Sequence, residues 1–412
     1  MILESLEIEK FRHINKTSVN FGGNITVISG QNGTGKSSIL GWVAQLCDYK
    51  GEHRRINADE FKENWSKVFR FCNQNDYHNK YKVKFYYLIN DIADDTVLTT
   101  RHISSVNRYK CDFNRNISSK VKKAIDFPII YLGLKRLIPL STESEKRIEK
   151  LELDLSKSEI KLFNNLAKEI LLITDDKINA ESIKSPNKKV LSIKTDNYGH
   201  LGNSAGQDNI GQIISSIISF IRLKDNLKED YNGGVLLIDE IDSTLFAATQ
   251  IKLIQVLNRF AESLNLQVIF TTHSLEILEF ISNEINSNSF IGKKSQINFL
   301  EEIDKSVQNI PNPSITWVKL KIKGQRGKKE KIIKKDFICE DQNAELWIKN
   351  LIQGCELKKL VNPCVSNLPD TTLCEMAKSP NKIFKNHKYI LDGDSKKRFK
   401  NKKKESNISF LP

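Results

Sequence analysis

The feature that most constrains this chain is the eight-residue run GQNGTGKS at positions 30–37. It fits the pattern GxxxxGK[ST], whose glycines let backbone N–H groups surround phosphate oxygens at the start of a helix. The run follows an apolar strand candidate, NITVISG, and leads into the helical sequence SILGWVAQL. The sequence therefore predicts a strand–loop–helix unit that binds the phosphates of a nucleotide.

The side chains of this loop predict the nucleotide and its ion. Lys36 is expected to reach the β and γ phosphates, and the Ser37 hydroxyl is expected to bind Mg²⁺. ATP and Mg²⁺ are thus the expected cofactors. The candidate nucleotide-binding residues of the run are Gly30, Asn32, Gly33, Gly35, Lys36, Ser37 and Ser38.

A second motif, VLLIDE at 235–240, is typical of a buried strand that ends in carboxylates. Asp239 is expected to hold the Mg²⁺ shell, and Glu240 to act as general base on an attacking water. The alternative is a strand that merely ends in two surface acids. After the next strand candidate, LQVIFTTH, His273 could sense the γ-phosphate, although a lone histidine is more often structural.

A third motif, NSAGQ at 203–207, lies 32 residues before Asp239 (239 − 207 = 32) and opens a helical segment. A serine, backbone N–H groups and a helix N-terminus together predict a second phosphate-binding surface. Its candidate residues are Ser204, Gly206 and Gln207.

Composition limits the class of protein. The 412 residues suggest two or three domains, and the chain has neither an apolar run of 18 residues nor a signal peptide, so we expect a cytoplasmic protein with no membrane partner. Seven cysteines at irregular spacings predict reduced thiols rather than zinc or disulfides. A net charge of +14 favours nucleic acid as a partner, but lysines on solvated faces would give the same value.

Alternating strand and helix candidates predict an α/β fold with a parallel sheet. We expect an ATPase domain over 1–310, with a charged helical insertion at about 141–185 whose helical stretch covers 142–173. A basic linker over 311–334 and a smaller α/β domain over 335–412 would follow.

The motif order over about 1–285 resembles the ABC ATPase superfamily, in particular its SMC and OLD (overcoming lysogenization defect) branch. The resemblance implies that Ser204 and Gly206 of one protomer touch ATP held by Lys36 of another, so that ATP closes a head-to-head homodimer or a larger homo-oligomer. By resemblance only, Arg12 contacts the nucleotide. The sequence departs from the family pattern at Asn203, where Leu is commoner.

Three further carboxylates mark the C-terminal domain. Glu340 follows the apolar run DFIC, and Asp392 and Asp394 follow KYIL. Such oxygen ligands suit Mg²⁺ or Mn²⁺, which would activate a water for phosphodiester cleavage. The arrangement resembles a Toprim domain, but the region looks incomplete at Pro412. The alternative is a strand ending in acids at an ordinary turn. The basic tail, Lys396 to Lys404, could bind a nucleic-acid backbone or be a solvated tail.

An ABC-type head followed by a Toprim-like domain is similar to the OLD nucleases, including Gabija-type and retron-associated defence proteins. The resemblance implies an ATP-gated nuclease that cuts DNA or RNA in anti-phage defence, with a second defence-system protein or retron nucleic acid as a further partner. The alternative is an ATPase sensor or scaffold that oligomerises and controls a separate nuclease. A DNA-repair ATPase with a long coiled-coil arm fits less well, because the insertion is short.

Overall fold

The structure of the chain is a computed structural model. Its contacts divide the chain into two compact units, Met1–Gly324 and Gln325–Pro412, which are described separately. The structure describes residues 1–412 except 65–67, 70–75, 77–80, 104–107, 116–123, 139–147, 153, 174–177, 186–188, 196–203, 305, 323–334, 354–360, 380–383, 385–386, 399–406 and 412.

A six-stranded sheet forms the centre of the first unit. Its strands, in spatial order, are β14 (Ser306–Pro311), β13 (Ser295–Ile303), β3 (Ile25–Gly30), β12 (Leu266–Thr271), β11 (Gly234–Ile238) and β7 (Ile129–Leu132). All neighbours are parallel except β14, which runs antiparallel to β13. Every residue of β3, β11 and β12 is buried, as their continuous apolar runs predict.

Helices and a second sheet cover the two faces of this sheet. Consecutive side chains of β11 enter opposite cores, since Leu236 and Ile238 lie in one apolar cluster while Val235 and Leu237 lie in the other. Helix α1 (Lys36–Leu46) packs into the second cluster. The first cluster holds α2 (Lys157–Leu171), α3 (Ala205–Leu227), α4 (Ala247–Ser263) and α5 (Leu275–Asn286). The predicted strand–loop–helix unit and α/β fold are confirmed.

Two antiparallel sheets complete the unit. The larger one contains, in spatial order, β2 (Ile14–Asn20), β1 (Ile2–Phe11), β4 (Lys82–Ile89), β5 (Ile92–Ile103) and β6 (Arg108–Arg115). The smaller one contains β10 (Lys189–Thr195), β9 (Ile178–Lys184) and β8 (Glu149–Leu151). Short helices α6 (Phe290–Lys293) and α7 (Ile315–Ile322) follow α5 along the chain, and none of the described helices is long and apolar enough to cross a bilayer.

The helical stretch predicted for 142–173 is only partly correct. Helix α2 begins at Lys157, capped by Ser156 and Glu159 in a capping box, whereas Glu149–Leu151 form strand β8. These three residues form a strand by pairing antiparallel with β9, a contact that the local helical spacing does not indicate. The start of the stretch, 142–147, lies outside the described residues, and the insertion predicted to be helical over about 141–185 also contains strand β9.

The segment predicted as a basic linker, 311–334, instead begins with the last residue of β14 and contains α7, both within the first unit. Its residues 323–334 lie outside the described residues, as do Asn203 and most of the basic tail. The second unit contains a parallel sheet with the order β16 (Val361–Val365), β15 (Lys335–Cys339), β17 (Lys388–Leu391) and β18 (Ile408–Phe410). Its helices are α8 (Gln342–Leu351), α9 (Asp370–Lys378) and α10 (Ser395–Arg398).

Candidate functional site

The loop between β3 and α1 turns through backbone conformations that favour glycine. Gly33 and Gly35 have φ values of 83° and 88°, and Gly35 is the residue that caps α1. A side chain at Gly33 would meet no atom within 4 Å, so the backbone angle, rather than space, requires glycine there. The loop amides therefore gather at the N-terminus of α1, where an anion is stabilised.

A cavity of about 290 Å³ opens beside this loop and is lined by residues of three predicted regions, namely the loop itself, the end of β11 and His273. Lys36 is buried in its wall, and its Nζ donates to the carbonyl oxygens of Gly30 (3.0 Å) and Gln31 (2.8 Å). Burial lowers the pKa of Lys36, against the opposing effect of nearby carboxylates. The lining residues are Phe11, Arg12, His13, Ile14, Asn32, Gly33, Gly35, Lys36, Ser37, Ser38, Asp239, Glu240, Thr271 and His273.

Two hydroxyl groups hold the carboxylate of Asp239, which comes directly after β11. Ser37 Oγ donates to Asp239 Oδ1 at 3.0 Å, and Thr271 Oγ1 donates to the same oxygen at 2.7 Å. Asp239 is 2% exposed. The hydroxyl of Ser37 and the carboxylate thus form a set of hard oxygen donors that fits Mg²⁺. Thr271 was not predicted, although its position as the first residue of TTHS, at the end of the neighbouring strand, could have indicated it.

Glu240 occupies a constrained turn beside the cavity. Its φ is 49°, its N–H donates to Thr271 Oγ1 at 2.6 Å, and its carboxylate accepts a hydrogen bond from Ser243 Oγ at 3.0 Å. A left-handed conformation at glutamate is uncommon and persists where the surroundings fix it. The carboxylate is therefore fixed at the cavity wall, the position that a general base requires.

Two basic side chains complete the cavity wall. The partial burial of His273, together with the charge of Lys36, lowers its pKa despite the carboxylates around it, so its imidazole is neutral at pH 7. Its backbone N–H donates to Asp242 Oδ1 at 3.3 Å. Arg12 forms an ion pair with the buried Asp76, with Nε 3.4 Å from Oδ1. Both residues thus lie at the cavity, as the predictions for them require.

The NSAGQ residues lie elsewhere, at the start of α3. Ser204 Oγ accepts a hydrogen bond from the Gln207 N–H at 3.3 Å, and Gln207 Oε1 accepts one from the Ser204 N–H at 2.9 Å. A Cβ at Gly206 would lie 2.6 Å from the Thr244 carbonyl oxygen, so only glycine allows α3 to approach this turn. None of these three residues belongs to the described lining of the cavity beside Lys36.

In the second unit, the three predicted carboxylates lie at carboxyl ends of neighbouring parallel strands. Burial is the main cause that raises the pKa of Glu340, followed by the charges of Asp392, Asp370 and Asp341. Burial, followed by Asp341, Asp394 and Asp370, raises the pKa of Asp392. The structure thus brings Glu340, Asp392 and Asp394 into one acidic cluster.

Two members of this acidic cluster were not predicted from the sequence. Asp341 caps α8, accepting a hydrogen bond from the Ala344 N–H at 2.8 Å, and Asp370 accepts one from Ser395 Oγ at 2.8 Å. Asp370 follows β16, a third strand of the same sheet, and this position could have indicated it. The donor chemistry suits Mg²⁺, but within the described residues no three His, Cys, Asp or Glu side chains are close enough together to hold a metal ion.

Comparison with known proteins gives a family match and several distant structural likenesses. The family described as "AAA ATPase domain" matches residues 1–62 and 46–278, which include the loop at 30–37, Asp239, Glu240 and His273. No curated protein matches the chain.

The solved structures that the chain resembles share little sequence with it. The SMC head domain from Thermotoga maritima is 13% identical, with 76% of this chain and 99% of that one covered and a TM-score of 0.41. A Smc head domain with an extended coiled coil, bound to the C-terminal domain of ScpA from Pyrococcus furiosus, is 12% identical (78% and 99% covered, TM-score 0.44). The recombination mediator RecF is also 12% identical (75% and 98% covered, TM-score 0.41).

Proposed function

Since the chain belongs to the AAA ATPase domain family, we propose that it is an ABC-type ATPase whose active site is the cavity beside Lys36. The loop amides, the N-terminus of α1 and Lys36 would bind the phosphates of ATP. Ser37 and Asp239 would hold Mg²⁺, which when bound neutralises charge on the phosphates and stabilises the leaving oxygen. The observation that carries this proposal is that the loop at 30–37, the carboxylates Asp239 and Glu240, and His273 meet at one cavity.

The groups around the cavity support hydrolysis as well as binding. Glu240 would accept a proton from the attacking water, and the Ser243 hydroxyl orients its carboxylate. The water oxygen forms a bond to the γ-phosphorus as the bond to the β–γ bridging oxygen breaks. The neutral imidazole of His273 can donate a hydrogen bond to a γ-phosphate oxygen.

The start of α3 supports a head-to-head homodimer. Ser204 is exposed, and so is 78% of Phe246, which follows the turn that Gly206 contacts. A second copy placed over this surface would give Ser204, Gly206 and the α3 N-terminus an ATP phosphate to bind, and would cover Phe246.

Lys36→Ala tests the ATPase proposal. The change removes the buried cation of the cavity, so we expect loss of detectable ATP binding and hydrolysis. Lys161→Ala, which removes an exposed lysine on α2, is the matched control and should behave as wild type. Hydrolysis by Lys36→Ala at the wild-type rate would contradict the assignment of this cavity.

For the second unit we infer a metal-dependent nuclease of the OLD type, acting on DNA or RNA in anti-phage defence. The support is the acidic cluster, in which burial and then the neighbouring carboxylates raise the pKa values of Glu340 and Asp392, so a bound cation would be favourable there. Mg²⁺ or Mn²⁺ would be held by Glu340, Asp392 and Asp394. Cleavage of nucleic acid by the full chain, lost in Asp392→Ala and kept in Glu375→Gln at an exposed carboxylate of α9, is the expected result.

The second candidate is an ATPase sensor or scaffold that controls a separate effector. The observation that favours it is that the described carboxylates do not form a closed set of metal ligands. Absence of cleavage with Mg²⁺ and with Mn²⁺, alongside intact ATP hydrolysis, would support this candidate and contradict the nuclease.

A further inference from the structure

Arg136 is a buried cation that none of the sequence motifs indicates. It lies in a short 3₁₀ turn after β7 and is 3% exposed. Its guanidinium donates to four acceptors: Asn209 Oδ1 (2.9 Å) and the carbonyl oxygens of Glu240 (2.9 Å), Leu132 (3.1 Å) and Gly133 (3.2 Å). The side chain therefore joins the end of β7, helix α3 and the turn that carries the candidate general base.

Asn209, in the first turns of α3, uses both ends of its amide in this network. Its Oδ1 accepts from Arg136 Nε, and its Nδ2 donates to the Ser243 carbonyl oxygen at 3.1 Å. Ser243 Oγ in turn donates to the Glu240 carboxylate, and the Glu240 carbonyl accepts from Arg136. These four residues form a closed loop of hydrogen bonds, which we call the Arg136 ring.

Burial makes the Arg136 ring stiff. Asn209 is fully buried, so rotation of its amide would leave two polar partners without hydrogen bonds, at a cost that is high in a low-dielectric interior. Burial lowers the pKa of Arg136 to about 10, while nearby carboxylates, Asp239 first, act in the opposite direction. The guanidinium is thus protonated at pH 7 and can donate hydrogen bonds to all four acceptors.

The Arg136 ring is connected to the exposed start of α3. Ser204 caps this helix one turn before Asn209, and Gly206 lies against the carbonyl of Thr244, next to Ser243. A displacement of the α3 N-terminus therefore moves Asn209. Because Asn209 is hydrogen-bonded to both Ser243 and Arg136, its movement shifts at least one of them. Each of these two residues is in turn hydrogen-bonded to Glu240.

We propose that Arg136 and Asn209 are positioning residues that set the Glu240 carboxylate according to the position of the α3 N-terminus. This inference rests on the proposed ATPase function. Phosphate bound at Ser204 by a second copy would fix α3 and, through the Arg136 ring, fix the general base of the same chain. Each head would then hydrolyse its own ATP fastest when its Ser204 surface is occupied.

The test compares two changes at Asn209 in the full chain. Asn209→Asp keeps the acceptor for Arg136 but loses the donor to Ser243, whereas Asn209→Leu loses both. We expect kcat to fall moderately in the first and by about 10²-fold in the second, the scale of a misplaced catalytic group. ATP affinity should stay within about twofold, since a group that acts only in the chemical step affects kcat rather than binding.

A double-mutant cycle separates positioning from a merely structural role. In a Glu240→Gln background, Asn209→Leu should cause little further loss of hydrolysis, because the group it positions is already absent. Ser216→Ala, a buried α3 serine that bonds only to Gln212 of its own helix, is the control and should keep the wild-type kcat. If Asn209→Leu does not fold, Asn209→Asp in the same Glu240→Gln background gives the same readout, because it removes the donor to the Ser243 carbonyl.

The proposal would be overturned if the two substitutions lowered kcat independently, so that their factors multiplied in the double mutant. It would also be overturned if Asn209→Leu lowered ATP affinity as much as kcat. A wild-type kcat in both Asn209 variants would overturn it as well. A wild-type protein that binds but does not hydrolyse ATP would contradict the proposed ATPase function itself, so the two failures are distinguishable.

Discussion

Asp239 and Asp392 both come directly after a strand of a parallel sheet, yet their surroundings differ. Asp239 accepts two hydroxyl hydrogen bonds and lies near the cations of Lys36 and Arg136. Asp392 has Asp341, Asp394 and Asp370 as its charged neighbours, and its pKa is raised. The first carboxylate is thus stabilised by the protein itself, whereas the second would be stabilised by a cation from outside.

This difference shows what a strand end provides and what it does not. The end of a parallel strand gives a carboxylate a fixed position at the edge of a sheet. The residues contributed by other elements then determine its chemistry, namely Ser37 and Thr271 in the first unit and further acids in the second. Variants that remove these neighbours should therefore affect the two sites in opposite ways.

The largest expected effect is at the candidate general base. Glu240→Gln keeps the hydrogen bond from Ser243 but removes the proton acceptor, so the rate of ATP hydrolysis should fall by about 10²–10⁴-fold while ATP still binds. Steady-state hydrolysis and nucleotide-binding assays measure the two quantities. Glu302→Gln, at an exposed glutamate of β13, is the control. A wild-type rate in Glu240→Gln would show that another group accepts the proton.

Thr271→Val should have a smaller effect on the same site. It removes the hydroxyl that bonds to Asp239 and to the Glu240 N–H, which leaves both without that partner and costs about 1–3 kcal/mol. We expect about a tenfold lower kcat, the factor that corresponds to ~1.4 kcal/mol.

Thr26→Val is the matched control for Thr271→Val. It removes a buried hydroxyl of the same sheet that accepts only from the Gly22 N–H, so it should lower stability without lowering kcat. Equal loss of kcat in both variants would mean that Thr271 acts through stability alone.

In the acidic cluster, by contrast, we expect removal of a charged neighbour to stabilise the metal-free protein. The folded pKa values of Glu340 and Asp392 lie above their unfolded values, so the cluster destabilises the metal-free protein increasingly as pH rises from about 4 through the folded pKa values. Asp392→Asn removes one charge and should raise the melting temperature at pH 7 by about 2–4 °C. Calorimetry of the full chain without metal measures this shift.

The effect of Mg²⁺ on the melting temperature gives a second test of the acidic cluster. In the wild type, added Mg²⁺ should raise the melting temperature of the ATP-free protein, and this gain should shrink in Asp392→Asn because a ligand is lost. Glu375→Gln should respond to Mg²⁺ as the wild type does. An equal Mg²⁺ effect in Asp392→Asn would contradict metal binding at the cluster.

The smallest expected effect is that of Asp341→Asn. Asparagine also caps helices, so α8 should keep its N-terminus, while one negative charge near Asp392 is lost. Mg²⁺ affinity, measured by calorimetric titration of the full chain, should fall only a few-fold. A complete loss of Mg²⁺ binding would instead make Asp341 a direct ligand.

The sequence predicted those parts of the sites that short motifs encode. The phosphate loop, Asp239, Glu240 and His273 lie in runs where spacing alone brings the right groups to a strand end. Arg136 and Asn209 are 73 positions apart and meet because β7 and α3 pack near the same turn. No local sequence pattern indicates such a long-range contact. Strand β8 was missed because its three residues form a strand only through their pairing with β9, more than 30 positions away.

Helix α3 connects the proposed phosphate-binding surface at Ser204 with a distant part of the first unit. Its 23 residues form a rod about 35 Å long, with Ser204 at one end and Leu227 at the other. Near its far end, Asn226 contacts His53, and the Lys224 ammonium donates to the Ser263 carbonyl at the end of α4. For such a rod, a tilt of about 3° at the nucleotide end displaces the far end by about 2 Å. If a phosphate binds at Ser204 as proposed, the helix would act as a lever that converts this contact into movement at a distant surface.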